Sequence, residues 1–161
     1  SRGRRGRIFI VLLIILVVVI VLFVALPMFE ARRRSPLVQQ ALWKSNGRSV
    51  TSSFVGEKVE AHVVIEATEN YVGSVVIKIR KDLPFWLDRD YTVESFPVDL
   101  AGGQPTELVI TFIPDETSGG QLRGYFVEVD FPAANSNWIM QSSYPPRLTV
   151  AAMAPGVSSP V

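Results

Sequence analysis

The sequence has no cysteine and a single histidine, His62. Without thiols there can be no disulfides, thiolate metal centres, cysteine lipidation or cysteine nucleophiles. One imidazole excludes zinc or iron centres built on several histidines and leaves one candidate for imidazole acid–base work. Asn46, Asn70, Asn135 and Asn137 all lack the Asn-x-Ser/Thr pattern, so no N-glycosylation acceptor is present. A basic surplus is also missing beyond the first 34 residues: from residue 35 onward nine Lys and Arg face 14 Asp and Glu. Phosphate contacts supply most nucleic-acid affinity and need a basic face, so nucleic acid is not an expected partner.

What is present is one long apolar run. Residues Ile8 to Leu26, IFIVLLIILVVVIVLFVAL, are nineteen apolar residues without a hydroxyl, amide or charge. As a helix they extend roughly 28 Å, about the hydrocarbon thickness of a bilayer. Eleven of the nineteen are Ile or Val, which favours strand in water, but only a helix satisfies its own backbone in lipid. Pro27 is expected to close the segment because it cannot donate the next helical bond. A cleaved secretory signal has a shorter apolar core and a small-x-small cleavage site. Here Phe23 stands two before Ala25 and Phe29 two before Ala31, so an uncleaved signal anchor is expected. Arg2, Arg4, Arg5 and Arg7 precede the run, and Arg32, Arg33 and Arg34 follow it, partly offset by Glu30. The tighter leading cluster places the N-terminus in the cytoplasm and the acidic remainder in the periplasm or outside the cell.

The expected domain plan is a basic cytoplasmic tail at 1–7, a transmembrane helix at 8–27, a juxtamembrane linker with a short helix at 28–47, a β-sandwich at 48–154 and a Pro/Ser tail at 155–161. The short helix is read from Ser35 as N-cap, Pro36 at the first position, Gly47 as C-cap and an apolar face of Leu37, Val38, Ala41 and Leu42. Trp43 and Arg32 to Arg34 are residue types of the headgroup level. After residue 48 the texture changes to short Val-, Ile-, Phe- and Thr-rich runs. In EKVEAHVVIEA, residues 57–67, apolar and polar positions alternate with period two. Further strands are expected at 49–55, 73–81, 91–100, 106–113, 121–131 and 147–153. Gly102-Gly103 and Gly119-Gly120 read as turns, lacking the lysine and strand-to-helix setting of a phosphate loop. Seven short strands indicate one antiparallel β-sandwich.

Gly56-Glu57 ending a turn, then KVEAHVVIEA, later GGQPTELVITFIPDET and LRGYFVEVDF, together resemble the immunoglobulin-like domains of CARDB type found on cell-surface proteins. The likeness covers residues 54–131. It departs from the family pattern after the second strand, where Thr68-Glu69-Asn70 replaces Asn-x-Gly. The resemblance implies an immunoglobulin-like fold and a role in adhesion or assembly.

Several residues invite chemistry. Asp82, Asp88 and Asp90 bracket the apolar loop Leu83-Pro84-Phe85-Trp86-Leu87 and could offer oxygen ligands to Ca²⁺, although the spacing matches no EF-hand and Arg89 intervenes. Otherwise they are solvated carboxylates at the strand ends. Asp115-Glu116 and the pair Glu128 and Asp130 could be proposed as acid–base couples, but nothing specifies the cleft that two such carboxyls would flank. His62 falls on the polar face of its strand beside Glu60 and Glu66, as a solvated strand histidine does. Leu83, Phe85, Trp86 and Leu87 are expected to dock a partner, or else to plug one end of the sandwich. The functional expectation is a non-catalytic accessory or scaffold subunit without cofactor. Its partners would be the lipid bilayer and other membrane or envelope proteins. A pilin-like filament subunit and a calcium-dependent adhesion or ligand-binding module remain the alternatives.

Overall fold

A computed structural model describes residues 2–33, 36–83, 88–119, 123–140 and 147–153. It divides into two compact units, Ser1–Arg34 and Ser35–Val161.

The first unit is helix α1, Arg2–Arg33. Its stretch Gly6–Pro27 is long and apolar enough to cross a bilayer, a property that membrane spans and signal sequences share. The helix is longer than the 8–27 expected, since it absorbs residues 2–7 and continues past Pro27. Pro27 lacks the amide hydrogen for one intrahelical bond, and its ring crowds the carbonyl four residues back. Long apolar helices tolerate that single defect.

The second unit is mainly β. Its strands are β1 Leu37–Ser45, β2 Arg48–Val50, β3 Ser52–Phe54, β4 Val59–Glu66, β5 Tyr71–Lys81, β6 Arg89–Leu100, β7 Thr106–Phe112, β8 Tyr125–Phe131, β9 Ser136–Ile139 and β10 Thr149–Ala151. Two antiparallel sheets form, ordered β2-β1-β4-β7 and β6-β5-β8-β9. This division is that of an immunoglobulin-like sandwich. A short parallel pair, β3 with β10, joins them as a small third sheet. The described residues thus hold ten strands where seven were expected. The run 49–55 splits at Thr51, because β2 pairs with β1 while β3 turns away to pair with β10. β9 was not anticipated.

The expected short helix at 28–47 is overturned. Residues 37–45 form β1, pairing along β4 from Leu37 opposite Glu66 to Lys44 opposite Glu60. The hairpin to β2 turns on Asn46 and Gly47, both at positive φ (49° and 75°). Asn-Gly in that conformation is the connection whose twist matches paired strands. Gly47 is a hairpin glycine here, and no helix C-cap is formed. The sandwich therefore begins near residue 36, well before 48.

The core follows from alternation. β4 buries Val59, Ala61, Val63 and Ile65, and β5 buries Val75, Ile77 and Ile79. β8 sends Tyr125, Val127, Val129 and Phe131 inward. The rings of Trp43, Phe112 and Tyr125 run across the core, with centroids 5.8 and 5.3 Å apart. Gly102 is required at the β6–β7 turn, because a Cβ there would lie 2.9 Å from the Thr68 carbonyl oxygen. Glu57 fastens the turn after β3. Its carboxylate accepts hydrogen bonds from the hydroxyls of Ser45 and Ser53, each at 2.7 Å, and from the Phe54 amide at 3.3 Å. The Ser53 bond first, then that of Ser45, holds the Glu57 carboxyl below its usual range against the opposing effect of burial.

Candidate functional site

The densest polar chemistry lies on the outer face of the β6-β5-β8-β9 sheet. β5 alternates, so Lys78 and Arg80 face outward opposite Glu128 and Phe126 of β8. Arg80 donates to Asp90 of β6 at 2.7 Å and to Glu128 at 2.8 Å, tying three strands together. Lys78 pairs with Asp130 at 2.7 Å. That hydrogen bond raises the Lys78 pKa despite burial. For Arg80 burial works against the charge, and the bonds and charges of Glu128 and Asp90 outweigh it, so its pKa is also raised. Two guanidinium groups lie over the Phe126 ring, Arg147 at 4.6 Å and Arg80 at 5.8 Å from its centroid. Arg147 donates to Asp82 at 2.5 Å. At the same end Lys81 reaches Glu116 at 3.3 Å, and the Tyr125 hydroxyl donates to the Glu116 carbonyl at 2.8 Å. Burial, then the carboxylates of Glu116 and Asp115, push the Tyr125 phenol up to about 12.

The three aspartates named for calcium each have a partner within the chain. Asp82 turns to Arg147 and Asp90 to Arg80, while the Asp88 carboxylate accepts from the Leu83 amide at 3.4 Å. Among the described residues no group of three metal-ligating side chains converges. Glu128 and Asp130 share a face as alternation required, but each is bonded to its own cation. Glu128 is only 8% exposed, because the Arg80 side chain lies over it.

Of the docking residues, Leu83 is half-buried at the end of β5. Phe85, Trp86 and Leu87 lie outside the described residues. His62 is on the outer face of the other sheet as expected. Its Nδ1 meets Glu107 at 2.7 Å and its Nε2 meets Glu60 at 3.1 Å. The hydrogen bond to His62 holds the Glu107 carboxyl below its usual range. Glu66, the other expected neighbour, instead accepts from the Gln39 amide.

The headgroup assignment of Trp43 is overturned. It is 1% exposed in the sandwich core, since β1 points Ala41, Trp43 and Ser45 inward. Arg32 and Arg33 are the last residues of α1, and Arg34 lies outside the described residues. Arg2, Arg4, Arg5 and Arg7 belong to the first turns of α1. Sequence reasoning missed Arg80, Phe126 and Arg147 as a group. The alternation of Lys78 and Arg80 along β5 was legible, but their acidic partners follow only from strand pairing.

No known family profile matches the chain, and no curated protein matches it. Among solved structures it is similar to one described as the crystal structure of the C-terminal domain of wzt. The identity is 10%, the TM-score is 0.46, and the match covers 65% of this chain and 65% of that one.

Proposed function

We propose that the chain is a non-catalytic, single-pass membrane-anchored accessory or scaffold subunit. Its leading arginines stand on the cytoplasmic side, and its sandwich docks onto a larger membrane or envelope complex outside the cytoplasm. The CARDB-type resemblance, with its implication of assembly, belongs to the same reading. One observation carries it. A helix of spanning length with exposed apolar side chains is joined to a sandwich in which Asp82, Asp90, Glu128 and Asp130 pair with its own cations. Such a sandwich offers an ordered surface and keeps few charged groups free for acid–base work. The docking site in this reading is made by Leu83, Phe85, Trp86 and Leu87, with the last three as apolar anchors.

The test is purification of the full chain from its native membranes in mild detergent, with intact mass and identification of co-migrating chains. The expected result is a full-length chain in stoichiometric association with other membrane proteins. Trp86→Ala should weaken that association by about 2 kcal/mol or more with thermal unfolding nearly unchanged. A chain that migrates alone overturns the reading. Loss of the residues before Ile8 with indefinite polymers overturns it in favour of a filament subunit.

A further inference from the structure

The two large sheets end in four edge strands, β2 and β7 in one, β6 and β9 in the other. An edge strand presents unpaired N–H and C=O groups, and proteins blunt such edges by shortness, charge, proline or bulges. β2 has three residues and β9 has four. β6 is long, but it carries Asp90, Glu94, Asp99 and Pro97 and has a register shift opposite Ile79/Arg80. The part of β1 that β2 leaves uncovered is interrupted by a register shift between Val38 and Gln40. β7 is the least protected of the four. Its seven residues, TELVITF, contain no proline, pair with β4 without a bulge and hold one charge, Glu107, which turns to His62 of β4. Among the described residues no strand lies on its far side.

We infer that β7 is a homodimerisation edge, where a second copy of this chain adds its own β7 antiparallel across a two-fold axis at Val109. Along β7, Glu107, Val109 and Thr111 face outward, while Leu108, Ile110 and Phe112 face the core. Residues directly opposite in an antiparallel pair share a face, so a workable register must match outer positions with outer and inner with inner. The register centred on Val109 does this and is the one that pairs all seven residues. It sets Val109 against Val109 of the second copy, Glu107 against Thr111, Leu108 against Ile110 and Thr106 against Phe112. No like charges meet. Leu108, half-buried at the open edge, gains an apolar neighbour. The two four-stranded sheets become one of eight strands, with both cores on the same side. β6 is the poorer choice, because its three acids against Arg89 bring like net charge together in any self-pairing. One strand edge buries less than the roughly 1,600 Å² of a standard interface, so the pairing is concentration-dependent.

The cysteine-free sequence gives a direct test. In the proposed register the two Val109 Cα atoms stand about 4.5 to 5.5 Å apart, within disulfide range. Two Thr111 residues are displaced by four positions along the strands and lie beyond it. Full-length Val109→Cys, Thr111→Cys and Val93→Cys, the last on β6, are oxidised mildly in detergent micelles and resolved by non-reducing electrophoresis. The expected result is disulfide-linked homodimer from Val109→Cys at a yield several-fold above the other two. Val109 is 39% exposed, so the substitution does not enter the core. A second variant, Val109→Lys, sets two ammonium groups face to face and should shift sedimentation from dimer to monomer with an unchanged circular dichroism spectrum. Absence of dimer at Val109→Cys, equal yields at all three positions, or cross-linking to a different protein instead of a second copy would overturn the inference.

Discussion

Trp43→Ala separates two physical roles for one residue. As a headgroup anchor Trp43 would contribute to membrane partition, and its removal would leave the sandwich intact. In the structure it is 1% exposed and lies against Phe112 at 5.8 Å between ring centroids. Truncating a buried indole removes its transfer energy and leaves a cavity that β-sheet backbones cannot easily close. The expected cost is about 3 to 5 kcal/mol. For a domain of this size each kcal/mol moves the melting temperature by about 3 to 5 °C, so a fall of about 9 to 25 °C follows. The indole Nε1 has no hydrogen-bond partner among the described residues, and an unsatisfied buried donor costs about 1 to 3 kcal/mol. Trp43→Phe removes that donor while keeping most of the volume, so it should cost less than about 1.5 kcal/mol. The assay is thermal unfolding of both variants followed by circular dichroism, in the full chain in detergent. An Ala variant that melts with the wild type, or a Phe variant as damaged as the Ala variant, refutes the reasoning.

Three further outcomes are expected. Glu57 has a lowered folded pKa, so its contribution is present above the unfolded value of about 4.3 and is lost as pH falls through the lower folded value. Glu57→Gln should therefore cost about 1 to 2 kcal/mol at neutral pH in urea unfolding, and the difference from wild type should shrink at strongly acid pH. Arg80→Met leaves the nearly buried Glu128 without its cation. A loss of about 1 to 3 kcal/mol is expected, discounted because Arg80 is itself partly exposed. Arg80→Met with Glu128→Leu should recover much of this loss, and simple additivity of the two variants in a double-mutant cycle would contradict the pairing. Tyr125, pushed up to about 12, keeps its proton in the folded state through the range where an unfolded tyrosine ionises near 10. Its contribution is present below pH 10 and lost as pH rises toward 12. Ultraviolet titration should show a late-ionising tyrosine that Tyr125→Phe removes.

Much of the architecture was legible along the chain. The apolar run marked the helix because nineteen residues without a polar atom leave lipid as the natural environment for their side chains. Strict alternation marked β4, whose ends the structure moves by only two residues at the start and one at the close. The glycine turn at 102–103 was equally plain, and Gly103 does adopt a positive φ of 75°. β1 was misread for an identifiable reason. Leu37, Val38, Ala41 and Leu42 fit a helical face, and Pro36 and Gly47 fit helix ends. In the structure β4 offers β1 a complete ladder of partners, and a bulge between Val38 and Gln40 absorbs the mismatch in periodicity. Asn46-Gly47 was the local signal that could have corrected it.

What the sequence by itself determined is therefore whatever depends on neighbours along the chain. That covers a segment long and apolar enough to span a bilayer, the strands with clear alternation, the glycine turn at 102–103 and the chemistries excluded by missing cysteine and scarce histidine. Only the tertiary structure decided which strands meet. Strand pairing placed Arg80 between Asp90 and Glu128, turned Asp82 toward Arg147, buried Trp43 against Phe112 and left β7 as an open edge whose one charge, Glu107, meets His62. Each of these joins residues far apart in sequence, and a period-two pattern assigns a face to a residue without naming the strand beside it.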